Sequence, residues 1–256
     1  MSEDLMFSRI VLGFWRMDEW NLSTEELIKF LEECMDIGIT TMDHADIYGN
    51  YTFEELFGKA LELRPDLRKR MEIVTKCTIV YPSATVRVKY YDSSEKYIVS
   101  QVERSLKNMR TDYLDTLLLH RPSPLMNPEV IAEAFTVLKD AGKVKEFGVS
   151  NFSVSQFELI NQYVPLVTNQ IEISVNEISS FENGILDQLM SKGLRPTAWS
   201  VMGSYFSDQS DENIRIKKVI VELCDKYSAE ENQILLAFIL KHPSKIIPII
   251  GTSKAE

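Results

Sequence analysis

Nine consecutive residues, TMDHADIYG at 41–49, set Asp43, His44, Asp46 and Tyr48 close together. Three readings compete for such a cluster: a metal site drawn from its Asp and His, an acid/base site built on the Tyr48 phenol, or a polar loop without chemistry. Two residues farther along the chain bear on the second. Lys76 closes the run EIVTK (72–76) and His120 closes YLDTLLLH (113–120), much as Asp43 closes TTMD (40–43), with Tyr48 in the loop that follows. If those strand ends share one mouth, Asp43 and Lys76 form an ion pair, because an unpaired charge there is costly. A lysine beside a phenol favours the phenolate and lowers its pKa from the reference of about 10. Tyr48 then becomes a proton donor and acceptor near neutral pH, with His120 sharing its hydrogen bond. The competing reading of Asp43 and Lys76 alone is a structural ion pair at a barrel rim. The metal reading is weaker. Only three histidines exist, His44 adjoins Asp43, Asp46 is not at a helical offset, and no H-x-H closes the first strand. No metal is expected, His44 reads as a wall or hydrogen-bonding residue, and Asp46 as a turn-former in the loop.

The elements that must position these residues are legible as an alternation of β-branched runs with amphipathic helices. Strand candidates are 9–14, 40–43, 72–76, 113–120, 143–149, 167–172, 196–199 and 246–250. Ser23 with Glu26, Ser153 with Gln156, and Ser228 with Glu231 fit the capping box, and Asn127-Pro128 gives an N-cap followed by proline at the first helical position. Ile216, Val219, Ile220, Leu223, Cys224 and Tyr227 form an apolar stripe expected to face a sheet. Leu27, Leu31, Cys34 and Met35 form a similar stripe, as do Ile98, Val102, Leu106 and Met109. Eight strands alternating with helices predict an α/β fold, a (β/α)₈ TIM barrel, over a doubly wound sheet, since no G-x-G-x-x-G occurs and glycines number ten. Chemistry in such barrels sits at the C-terminal ends of the strands.

Composition narrows the function classes. At 256 residues without a linker, 1–256 reads as a single barrel domain. The net charge of −10, with signs interleaved and no basic stripe, argues against nucleic acid as a partner. No apolar run is long enough to span a bilayer and no leader pattern opens the chain, so no membrane partner and a cytoplasmic location are expected. Cys34, Cys77 and Cys224 lack metal or disulfide spacing and are expected as packed thiols. His242 before Pro243 reads as a helix-end cap. Met17 and Trp20 fit either a substrate-facing or a packed role.

D-x-A-x-x-Y in DHADIYG, Lys76 in IVTK, His120 in LLLHRP, GVSNF (148–152), NQIE (169–172) and IIGTSK (249–254) together resemble the aldo-keto reductase family over nearly the whole chain. The resemblance implies a bacterial-type NADP-dependent oxidoreductase in which Asp43, Tyr48, Lys76 and His120 reduce a small-molecule carbonyl with NADPH, Tyr48 donating the proton. It assigns Ser150, Asn151 and Gln170 to the nicotinamide carboxamide, and Trp199, with Ser200 after it, to the wall against the nicotinamide ring. Gly251, Thr252, Ser253 and Lys254 fall in the region that grips the 2′-phosphate, and Trp15 lines the substrate pocket. The other expectation is a cofactor-binding regulatory or scaffold barrel with little turnover. Two departures from the family pattern stand out. Val201-Met202 replaces the usual proline-leucine, and the chain stops at Glu256, before the family's 2′-phosphate arginine and eighth helix. A C-terminally truncated barrel is therefore expected, with one side of IIPII uncovered and NADP held weakly.

Overall fold

The protein is described by a computed structural model over residues 7–255. Runs that are apolar throughout, such as LLL before His120, suit strands buried on both faces, and they are used in that way here. Its strands are β1 (Val11–Gly13), β2 (Thr41–Asp43), β3 (Glu72–Cys77), β4 (Ile79–Val80), β5 (Tyr90–Tyr91), β6 (Leu114–Leu119), β7 (Val144–Ser150), β8 (Asn169–Glu172), β9 (Thr197–Trp199) and β10 (Ile247–Ile250). All but β4 and β5 are parallel and close into a barrel in the order β1-β10-β9-β8-β7-β6-β3-β2, which excludes the doubly wound alternative. The eight barrel strands are those expected from the sequence; the antiparallel pair β4 and β5, which rises from the end of β3, was not. Register puts Gly13 beside Asp43, and Asp43 beside Val74. A Cβ on Gly13 would lie 2.6 Å from Ile249 Cγ2, so the β1–β10 seam closes only over a glycine.

Helices α1 (Thr24–Asp36), α2 (Phe53–Leu63), α3 (Glu95–Met109), α4 (Pro128–Asp140), α5 (Val154–Asn161), α6 (Ile185–Ser191), α7 (Asp211–Tyr227) and α8 (Glu231–Leu240) fill the crossovers. Two of them, α7 and α8, share the crossover from β9 to β10, and no helix follows β10 among the described residues. The capping boxes of Ser23 with Glu26 and Ser153 with Gln156 are present, and Asn127 caps α4 ahead of Pro128. The stripes on α1 and α3 are buried as expected.

Three expectations are corrected. Ser228 does not cap α8: it ends α7 in the left-handed region at φ 51°, and Glu230 with Gln233 forms the box instead. The S-x-x-E pattern spans a turn between two helices, and the Glu231 carboxylate is occupied by the Tyr205 hydroxyl at 2.5 Å. The α7 stripe does not face the sheet. Val219 and Tyr227 are 54% and 61% exposed, Cys224 is half-buried, and only Ile220 of the stripe is buried. That helix rests on a satellite cluster of Tyr205, Ile220 and Leu235, outside the main core. Finally, β10 does not leave one side open over its first three residues: Ile247, Pro248 and Ile249 are buried, and Ile250 is half-buried.

Candidate active site

The strand ends do meet. Lys76 sits in β3 at 1% exposure, and its ammonium donates three hydrogen bonds: to Asp43 Oδ2 at 2.7 Å, to the His44 carbonyl at 2.7 Å and to Tyr48 Oη at 3.1 Å. That uses every proton the ammonium has. Asp43 is held from its other oxygen as well, Oδ1 accepting from Gln170 Nε2 at 2.8 Å. The carboxylate therefore stands between two fixed donors. Because Tyr48 accepts from Lys76, its own O–H remains to be donated into the cavity above.

Charge states follow from burial and neighbours. Burial by itself lowers the Lys76 pKa, but the Asp43 charge and Tyr48 hold it above the ordinary lysine value. Burial raises the Tyr48 phenol, and the opposing pull of Lys76 does not cancel it, so its pKa stands above 10.0. This corrects the expectation of a lowered phenol: desolvation of a phenolate at this depth outweighs one adjacent cation that is already shared with Asp43. The resting pair is thus a neutral phenol and a charged ammonium. Burial, Lys76, Arg121 and Lys89 push His120 well below 6.5, which leaves a neutral imidazole. Its ring lies edge-on to Tyr48 at 6.2 Å between centroids, and Nδ1 has no partner. No hydrogen bond joins the two side chains.

These groups form the floor of a cavity of about 780 Å³. One wall comes from the ends of β7, β8 and β9. Ser150 Oγ donates to the Gln170 carbonyl at 2.9 Å, Asn151 Nδ2 to Ser150 Oγ at 2.7 Å, and Trp199 Nε1 to Asn151 Oδ1 at 3.1 Å. Asn151 and Ser200 both take positive φ, turning the chain away from the strand ends at that wall. Val201 and Met202, the residues in place of proline-leucine, also line the cavity. Gly251, Thr252 and Lys254 line the far rim, where Thr252 Oγ1 accepts from Lys254 N at 3.1 Å; Ser253 does not line it. Trp15, 57% exposed, stands at the mouth with its ring edge-on to Tyr48 at 5.0 Å.

The residues set aside on sequence grounds divide. His44 is neither a wall nor a hydrogen-bonding residue: it does not line the cavity, and its fully buried ring is stacked on Phe14 at 4.1 Å with neither nitrogen partnered. Trp20 packs on Phe14 and Phe30 rather than facing the cavity, and Cys77 is buried in the core. His242 Nδ1 meets Ser244 Oγ at 2.7 Å, closing a turn rather than capping carbonyls. Asp46 is no surface turn-former: it is 3% exposed and neither carboxylate oxygen has a partner. Among the described residues, no three His, Cys, Asp or Glu side chains gather to hold a metal. The sequence reading missed Arg16, Tyr81, Lys89 and Arg121, all of which line the cavity. Arg121 had a signal in standing next to His120; Lys89 had none.

The sequence matches the model of the Aldo/keto reductase family over residues 9–256. The oxidoreductase YcsN of Bacillus subtilis is 46% identical over 264 residues, covering 100% of this chain and 88% of the relative. A 6-dehydroglucose reductase of Agrobacterium fabrum is 41% identical over 264 residues, with the same coverage of 100% and 88%. Among solved structures, an aldo/keto reductase from Klebsiella pneumoniae in complex with NADP and acetate has a TM-score of 0.77 at 24% identity, covering 97% of this chain and 82% of that one. At that identity the likeness is one of fold.

Proposed function

The chain belongs to the aldo/keto reductase family, and from that premise we propose that it reduces a small aldehyde or ketone to the alcohol with NADPH, Tyr48 donating the proton. The observation that carries this reading is the Lys76 ammonium bonded at once to Asp43 and to the Tyr48 oxygen. As negative charge develops on the carbonyl oxygen, the neutral phenol gives up its proton. The phenolate that results is stabilised by an ammonium already within 3.1 Å, with no rearrangement needed. Asp43 fixes Lys76, and Gln170 fixes Asp43. His120, neutral and facing Tyr48, orients the carbonyl.

The residues present fit a nicotinamide dinucleotide. Trp199 offers an indole face locked by its bond to Asn151, and Ser150 and Asn151 supply polar groups beside it. Gln170 keeps a carbonyl oxygen after its amide is committed to Asp43. At the other rim Lys254, with Thr252 and Gly251 beside it, places a cation for a 2′-phosphate, which favours NADP over NAD. When bound, NADPH supplies the hydride that reaches the carbonyl carbon.

Tyr48→Phe tests the assignment. Loss of a general acid is typically worth about 10²–10⁴-fold in rate, so NADPH oxidation with a panel of small aldehydes should fall by that factor while NADPH affinity, measured by calorimetry, stays within a few-fold. Turnover near wild type in the variant would remove Tyr48 from the mechanism.

A further inference from the structure

The cavity carries a charge the rest of the molecule does not. The chain has a net charge of −10, yet the cations lining the cavity are Arg16, Lys89, Arg121 and Lys254, against one acid, Asp43, which Lys76 already neutralises. Two of these cations have separate explanations. Arg16 lies 4.0 Å from the Glu19 carboxylate, and Lys254 belongs to the rim assigned to the cofactor. Lys89 and Arg121 remain.

Both converge on the substrate side. Arg121 follows His120 directly at the end of β6, and its guanidinium carbon stands 5.5 Å from the centre of the Trp199 ring. Lys89 precedes β5 in the inserted hairpin, and its ammonium stands 5.7 Å from the Tyr81 ring, another lining residue. Each lowers the proton affinity of His120, so both fields reach the imidazole beside Tyr48. Neither makes an ion pair with a carboxylate among the described residues; Glu172 is the acid that senses Arg121, without pairing to it. Aromatic faces hold the two heads while leaving their N–H donors free.

We propose that Lys89 and Arg121 recognise an anionic group on the substrate, so that the preferred substrates are small aldehydes or ketones that also carry a carboxylate or phosphate. A guanidinium takes either group through two parallel donors, and the lysine adds a second point charge. The cavity's apolar wall of Trp15, Ile79 and Tyr81 then lies along the carbon chain between that group and the carbonyl. This rests on the reductase reading above, and it adds the class of molecule reduced.

Paired probes that differ only in charge test it: 4-oxobutanoate against its methyl ester, and glyceraldehyde 3-phosphate against glyceraldehyde. For wild-type protein, kcat/KM should favour the anion by ~10-fold or more in at least one pair, through KM, and the favoured pair identifies carboxylate or phosphate. Arg121→Gln and Lys89→Gln should each collapse that anion-to-neutral ratio toward one. A change in cofactor binding cancels in the ratio, so damage to the NADPH site does not imitate the result. No preference in wild type for either anion, or ratios that survive both substitutions, would overturn the proposal. If no aldehyde is turned over at all, the reductase reading fails by itself. Calorimetric binding then decides the matter: 4-oxobutanoate or glyceraldehyde 3-phosphate binding more tightly than its neutral partner, and losing that advantage in Arg121→Gln, supports the anion site, while equal binding refutes it.

Discussion

A single ammonium organises the chemistry at the scale of the residue. Its three protons go to a carboxylate, a carbonyl and a phenol, so Lys76 cannot turn toward solvent without breaking all three bonds, and Asp43 would then keep only its bond from Gln170. Asp46, three residues beyond Asp43, is the opposite case. Burial first, and then the charge of Glu54, hold its carboxyl well above the usual carboxylate range. The folded state therefore keeps the proton more readily than the unfolded chain. The stability tied to this group is fully present below the unfolded pKa of about 3.9 and is lost as pH rises toward the folded value, by up to about 1.4 kcal/mol per pH unit between the two. Asp46→Asn, which cannot ionise, is expected to resist urea better than wild type at pH 7–8, with the difference vanishing near pH 4. Curves that differ by the same amount at both pH values would show that ionisation of Asp46 is not the cause.

Among the elements, the two serines of the S-x-x-E pattern separate pattern from structure. Ser23 Oγ accepts from the Glu26 amide and the Glu26 carboxylate accepts from the Ser23 amide, whereas Ser228 sits in the left-handed region at the end of α7. Ser23→Ala should cost about 1 kcal/mol by chemical denaturation. Ser228→Gly should instead stabilise by roughly 1 kcal/mol, because a side chain in the left-handed region is strained and glycine is not. A destabilised Ser228→Gly would restore Ser228 as a helix cap. The β4–β5 hairpin belongs to the same scale: two short strands carry Lys89 and Tyr81 over the barrel mouth.

Across the whole molecule, stability is unevenly spread. Strands β6 and β7 are neighbours in the barrel wall and bury every residue but Lys145 and Glu146, while α7 buries only Asn213 and Ile220 and leaves Ile214, Val219 and Tyr227 exposed. Opening α7 returns little apolar surface to water, and opening β6 breaks the barrel. Native-state hydrogen exchange should accordingly show α7 amides exchanging at least ~10-fold faster than those of Leu117, Leu118 and Val149. Equal protection would mean that helix and barrel open as one unit. Among the described residues, no helix is long and apolar enough to cross a membrane.

The eight barrel strands, the helix starts at Ser23, Asn127 and Ser153, and the residues at the strand ends were legible because periodicity and capping are local. They depend on neighbours within a few positions, and eight alternating units leave few ways to close a sheet. The order Asp43, Tyr48, Lys76, His120 followed directly from that. What the sequence could not decide was every quantity set by distance through space. Gln170 reaches Asp43 across 127 positions of chain. The phenol lies above its reference value because burial, absent from any spacing rule, outweighs the lysine that spacing suggested. Asp46 is polar and lies in a loop, yet it is buried because β2 and β3 bring that loop under the mouth. Lys89 and Arg121 became neighbours of one imidazole only once the hairpin and the end of β6 were folded together, since Coulomb's law counts ångströms and not residues.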